Sequence, residues 1–369
     1  MQKESAPYVS IAVCIYNGAK TLEVTIESLL KQSYPKDMYE IILLDDGSTD
    51  RSPEICAYFM EESKNELPLI TYVQQKNSGL TAARNTSVSI SKGQIIAFID
   101  QDAMATKDWI LHIANKFQTS PLPKIVGGPV LLLNKDSKFA SLMYDSFFSD
   151  YMKDKHTVIG TNMAFSRSLL MDEKPFHPSL IHRGDETYIF HKLKAKVTPE
   201  QIPRAAVYHE TPASIKAWLK TRYEGGYVGA FLAILNGKHV NDKKNLTMMI
   251  INKLLFLILP VIIILSPILK LDILLHLAVI SYLLLTFRRY FATGYVKGLL
   301  KHFWHTRKAN TMDKLYLVPI ISFLLILGYY YEDFGYIRKM ISHLTSNDYD
   351  KSDIFKEPEV MKKLNNIKC

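Results

Sequence analysis

Cysteine is scarce in this chain. Its 369 residues hold three, Cys14, Cys56 and Cys369, an odd number without the paired spacing of a disulfide framework or a zinc site. A reducing compartment fits that usage. No G-x-G-x-x-G follows the first apolar run at 9–15, which argues against a dinucleotide oxidoreductase. The first 245 residues also lack clustered Lys and Arg interleaved with aromatics, so the formal net charge of +9 points to phosphates or an anionic membrane surface rather than to nucleic acid. Residues 1–7 are polar and the apolar run behind them is short, so no signal peptide is read and the N-terminal domain is expected to stay in the cytoplasm. Internal repeats and low-complexity segments are absent as well.

What is present divides unevenly along the chain. Up to residue 245, short β-branched runs at 9–15, 41–44, 69–73 and 95–99 alternate with helical-period stretches at 21–31, 52–62 and 80–91. That alternation predicts an α/β domain with a mostly parallel sheet wrapped by helices. From residue 125 the pattern loosens into short strands and loops, passing Gly160-Thr161-Asn162, Gly184-Asp185-Glu186 and Tyr208-His209, before a helix near 214–235. Beyond it, 254–269, 273–287 and 315–331 are nearly uncharged, and slight extension gives each a bilayer-spanning length. The chain therefore reads as a catalytic domain at 1–245, a membrane region with about three transmembrane helices at 246–331, and a polar tail at 332–369. The loop 288–314 carries Arg288, Arg289, Lys297, Lys301, Arg307, Lys308 and Lys314, which places it in the cytoplasm with the N-terminal domain, whereas Lys270-Leu271-Asp272 faces outward.

Acidic and glycine residues gather where the strands end, at the edge where open α/β sheets bind ligands. Asp100-Gln101-Asp102 follows the strand at 95–99, and two hard carboxylates one residue apart suit Mg²⁺ or Mn²⁺ held against a diphosphate. Asp45-Asp46-Gly47-Ser48-Thr49-Asp50 ends the second strand. There Ser48 or Asp50 caps the next helix, leaving Asp45 or Asp46 to accept hydrogen bonds from a base or ribose. In Asn77 to Asn85, Gly79 opens a helix and Arg84 lies one turn on, a helix N-terminus and a guanidinium that both favour phosphate.

In order and spacing, the segments at 9–17, 41–50, 77–85 and 95–102 resemble the family 2 glycosyltransferases, which have the GT-A fold. The resemblance covers roughly residues 8–120, the nucleotide-sugar half, and continues less tightly through an acceptor half at about 121–240. It implies a nucleotide-diphosphate sugar donor near Tyr16, Asn17, Asp45 and Asp46, a metal on Asp102 with Asp100, and inversion at the anomeric carbon; Asp100 and Gln101 are expected, with Gly79 and Arg84, to complete the donor site. Asp185 and Glu186 correspond to the family's Gly-Glu-Asp with the acids reversed. Counting back from Leu193 puts Glu186 in the position of the general base, with Asp185 as the other candidate. His209 matches a family histidine near the diphosphate and sometimes the metal. Two departures are local: Cys14-Ile15 replaces the Pro-Thr common before Tyr-Asn, and the window 219–223 lacks the Gln-x-x-Arg-Trp of processive synthases.

These readings converge on transfer of a sugar to a lipid-linked or membrane-proximal glycan acceptor by a multi-pass membrane enzyme whose catalytic domain is cytoplasmic. The competing readings are a processive polysaccharide synthase, and a non-catalytic, membrane-tethered nucleotide-binding module that would need no base. Oligomeric state is not encoded in any recognisable way.

Overall fold

The computed structural model describes residues 6–119, 124–144, 156, 158–171, 175–178, 180, 183–193, 196–235, 281, 331–332 and 334–338. The chain divides into two compact units, one from 1–135, 151–211 and 348–369, the other from 136–150 and 212–347.

The first unit contains the strands β1 (Val9–Ile15), β2 (Tyr39–Asp45), β3 (Leu69–Gln74), β4 (Ile95–Asp100), β5 (Ala103–Ala105), β6 (Ile125–Gly127), β7 (Val130–Leu132), β8 (Asn162–Ser166), β9 (Glu200–Gln201) and β10 (Val207–His209). Seven of them form one sheet in the order β3-β2-β1-β4-β8-β6-β9. Its first four strands are parallel, and every β2 residue is buried. Strands covered on both faces need apolar side chains on both, which is why 9–15 and 41–44 read as near-continuous apolar runs. Helices α1 (Leu22–Leu30), α2 (Ser52–Glu62) and α3 (Leu80–Ile90) connect these strands at the positions the periodicity predicts.

The register places the carboxyl ends side by side, with Ile15 opposite Asp45 and Cys14 opposite Asp100. Chain reversals after β1, β2 and β4 therefore meet at one edge of the sheet. Beyond β4 the sheet departs from a parallel arrangement, because β8 runs antiparallel to both β4 and β6. A second sheet, ordered β5-β10-β7, branches from the end of β4.

Packing beneath this edge is aromatic. Phe98, Phe165 and Phe176 are buried and meet edge to face, with centroids 5.5 to 6.2 Å apart, a geometry that adds to the burial of each ring. Helix α4 (Trp109–Gln118) buries Trp109, whose indole N–H donates to Asn162 Oδ1 at 2.9 Å. Helix α6 (Asp185–Leu193) buries Ile189 and Leu193 in the same core.

The second unit holds α5 (Lys138–Met143) and α7 (Ile215–Leu235), the latter where a helix near 214–235 is predicted. Met143, Trp218 and Leu219 bury together, and Arg222 pairs with Glu332. A Cβ on Gly226 would run into the Glu332 carbonyl, so close backbone approach requires glycine there. Among the described residues no helix is long and apolar enough to cross a membrane. The segments expected to cross lie outside the described residues, save positions 281 and 331.

Candidate active site

A cleft of about 250 Å³ opens at the carboxyl edge of the parallel strands, and Tyr16, Asp46, Gly79, Asp100, Gln101 and Asp102 all line it. Six residues singled out in the sequence thus meet in one place. Asn17 sits beside them with φ 50, a left-handed conformation that Asn tolerates better than most residues. Its backbone N–H donates to Ser48 Oγ at 2.9 Å, and its side-chain carbonyl accepts the Thr49 N–H at 2.8 Å. The turns after β1 and β2 are thereby stitched together. Asp50 accepts the Ser52 N–H at 3.0 Å, but the N-cap of α2 is Arg51, which makes no side-chain capping bond, so neither Ser48 nor Asp50 is the cap the sequence predicts.

Asp45 and Asp46 behave differently from expectation. Asp45 is fully buried: Oδ1 accepts the Ser48 N–H at 2.8 Å, and Oδ2 accepts from Gln74 Nε2 and Tyr72 OH. Asp46 does reach the cleft, yet Oδ1 accepts from Gln75 Nε2 and the Ser78 N–H, and Oδ2 accepts the Gly79 N–H at 2.7 Å. Neither carboxylate is left free in the way expected. The carboxylate at the start of α3 is supplied from within the chain, so Gly79 offers its N–H to Asp46.

Arg84 also requires correction. It lies one helical turn past the start of α3, as the sequence indicates, but on the face turned toward the sheet. Its side chain is 3% exposed, pairs with Asp185, approaches Asp100 Oδ1 at 3.4 Å and donates to the Gly160 carbonyl at 3.1 Å. The guanidinium lies 5.5 Å from the Phe98 ring centroid. A fork so engaged is a structural centre and no free phosphate ligand.

That pairing separates the two acids of α6. Asp185 is 1% exposed and committed to Arg84. Glu186 is partly exposed, and its carboxylate lies close to Gly160: a Cβ built there would fall 3.5 Å from Glu186 Oε2 and 3.2 Å from the Arg84 guanidinium. Glu186 therefore lies beside Gly160, whose carbonyl Arg84 holds, and is not among the residues that line the cleft.

Asp100, Asp102 and His209 each offer a ligand atom, all within 4.8 Å of one another. Register explains the meeting: His209 lies opposite Ala103 in the antiparallel β10–β5 pair, beside Asp102. His209 Nε2 is 3.1 Å from Asp102 Oδ1. Burial disfavours the charged form of both groups and is outweighed. The hydrogen bond and charge of His209 hold Asp102 below the ordinary carboxylate range. Asp102, then Asp100 and Glu210, hold the imidazole above its ordinary value. Two carboxylate oxygens and an imidazole nitrogen at this spacing fit a divalent cation such as Mn²⁺ or Mg²⁺.

Sequence reasoning passed over two residues here. Thr161 Oγ1 donates to Asp100 Oδ2 at 2.7 Å, fixing that carboxylate. Asn162 is fully buried and donates from Nδ2 to the Ala205 carbonyl at 2.8 Å, just ahead of β10. The only signal was the cluster Gly160-Thr161-Asn162, legible as a turn but silent on partners.

Comparison with known proteins gives the family. Residues 10–173 match the family model described as glycosyl transferase family 2, and residues 95–296 match that of glycosyl transferase family group 2. The chain belongs to the family 2 glycosyltransferases. Over 183 residues this glycosyltransferase is 31% identical to glycosyltransferase AglE of Haloferax volcanii, covering 48% of the chain and 59% of AglE. It is 34% identical over 120 residues to the β-monoglucosyldiacylglycerol synthase of a Nostoc species, covering 32% of the chain and 25% of that enzyme. It thus spans less than two thirds of the length of these curated relatives. A mannosyltransferase from Pyrobaculum calidifontis, solved with GDP-Man and Mn²⁺, shares the fold at a TM-score of 0.54 and 18% identity, covering 94% of the glycosyltransferase and 89% of that chain.

Proposed function

We propose that this glycosyltransferase moves a sugar from a nucleotide-diphosphate sugar to a lipid-linked or membrane-proximal glycan acceptor, with inversion and with a divalent cation at Asp100, Asp102 and His209. The observation that carries the reading is the three-residue cluster of Asp100, Asp102 and His209, two of whose members line the cleft, with Glu186 beside Gly160 on the adjoining turn. A bound cation supplies charge that offsets the negative charge of the leaving diphosphate. The donor class follows from the family, and a fold neighbour at 18% identity was solved with GDP-Man. A lipid acceptor is supported by the Nostoc relative, named for a glucosylated diacylglycerol.

Each residue then has a task. Tyr16, 49% exposed at the cleft, offers a ring face to the nucleoside, and the Asn17 turn holds that ring in place. Asp45 and Asp46 act one step back, fixing the turns at 45–48 and 77–79. Thr161 and Arg84 orient Asp100. Glu186 takes the proton from the acceptor hydroxyl as that oxygen attacks the anomeric carbon opposite the diphosphate, a task for a positioned carboxylate. The apolar segments beyond residue 248 anchor the enzyme in a membrane, with its catalytic unit on the cytoplasmic face.

The test is a donor screen. Membranes containing the enzyme, supplied with a panel of nucleotide sugars, are analysed by mass spectrometry for a glycan or lipid heavier by one sugar residue. One donor should give a product dependent on the enzyme. Product ladders of many sugars would instead favour a polymerising synthase, and absence of product with every donor would contradict the proposal.

A further inference from the structure

We infer that Gln101 is a positioning residue for the nucleotide, acting by clamping the peptide of Tyr16. The inference rests on the proposal that this cleft takes a nucleotide. Its observations are separate. The Gln101 amide engages both polar groups of the Tyr16 backbone, with Oε1 accepting the N–H at 2.8 Å and Nε2 donating to the carbonyl at 3.1 Å. Gln101 is itself held from α1, where Thr25 Oγ1 donates to its carbonyl at 2.8 Å. An anchored backbone thus presents a side chain that fixes the residue following the neighbouring strand.

Gly18 records the same clamp from the other side. A Cβ there would overlap Gln101 Oε1. Gly18 is not among the left-handed glycines, which are Gly47, Gly79 and Gly184, so its lack of a side chain answers to the Gln101 amide and not to backbone conformation. Two residues far apart in sequence are shaped for one hydrogen-bonded contact.

The consequence concerns binding cost. Tyr16 is half exposed, and a free loop would lose conformational entropy each time its ring closed on a ligand. Clamping the peptide beforehand removes that cost. Gln101 stands between Asp100 and Asp102, yet its side chain is turned to the loop, so its removal should weaken the nucleotide and leave the cation alone.

Calorimetry on the full-length protein in detergent tests this. UDP, GDP, dTDP and CDP are titrated into wild type with saturating Mn²⁺, and the tightest is carried to the variants, with thermal melts as the control for folding. Gln101→Ala and Gly18→Ala should each weaken that nucleotide by about tenfold, some 1.4 kcal/mol. The double variant should be no weaker than Gln101→Ala, because the shortened side chain leaves room for Ala at 18. Mn²⁺ affinity without nucleotide should be unchanged. An affinity of Gln101→Ala within about twofold of wild type overturns the inference alone, as do additive losses in the double variant or a parallel loss of Mn²⁺ affinity. Wild type that binds none of the four overturns the donor reading and this inference together.

Discussion

Two neighbouring acids, Asp185 and Glu186, show what a single residue's surroundings decide. Glu186→Gln should fold normally and bind donor, yet transfer about 10² to 10⁴ times more slowly, since that is the usual contribution of a positioned base. Asp185→Asn should instead lose about 3–5 kcal/mol in a denaturant melt, because it removes the buried carboxylate of the Arg84 pair and leaves that guanidinium only the partly exposed Asp100 at 3.4 Å. A stable Asp185→Asn enzyme with no activity, beside a normal Glu186→Gln, would reverse the assignment. Cys56 makes a second case. It is fully buried, and burial, then the Asp45 and Asp50 charges, push its thiol from 9.0 up to about 12. The folded state therefore keeps this proton longer than the unfolded chain. Its contribution to stability is complete below pH 9.0 and disappears as pH rises toward about 12. Urea midpoints across that range should fall less steeply in Cys56→Ala than in wild type. At this scale the sequence marked which residue types mattered and not which way they faced. Arg84 has the spacing of a phosphate ligand, but spacing along a helix does not tell whether a face meets the cleft or the core.

The secondary-structure elements divide by length. Strands β1 to β4 and helices α1 to α3 were legible because each repeats its pattern over six or more residues, enough for a period to register. Strands β5, β7 and β10 are three residues each and carry no period. Their sheet was invisible in the sequence, although it delivers His209 to Asp102. Family resemblance suggested the histidine; register explains it. Asn162 ties these elements together, joining Trp109 on α4 to Ala205 ahead of β10. Asn162→Ala leaves the Trp109 N–H and the Ala205 carbonyl without this partner inside the fold, which should cost about 1–3 kcal/mol. Because β10 carries His209, Mn²⁺ binding measured by calorimetry should weaken in the folded variant. Unchanged Mn²⁺ affinity would show that β10 is held well enough without Asn162.

For the whole molecule, a mostly parallel sheet with a ligand cleft at its carboxyl edge was foreseeable from strand–helix alternation, the strand order was not, and the expected membrane segments rest on composition alone. Cysteines placed at Lys270, Thr306 and Ser352, with the native cysteines removed, test the orientation using a membrane-impermeant thiol reagent on intact cells. Lys270→Cys should label and Thr306→Cys should not; the reverse pattern would overturn the topology, and Ser352→Cys reports whether 315–331 crosses. The proposed transfer depends on a cation at Asp100, Asp102 and His209. The most direct measurement is sugar transfer by the purified enzyme after EDTA treatment, with Mn²⁺ or Mg²⁺ then restored. Wild type should lose activity in EDTA and regain it with metal, while Asp102→Asn, folded by the same thermal criterion, should remain inactive at every metal concentration. Transfer at full rate in EDTA would contradict the account.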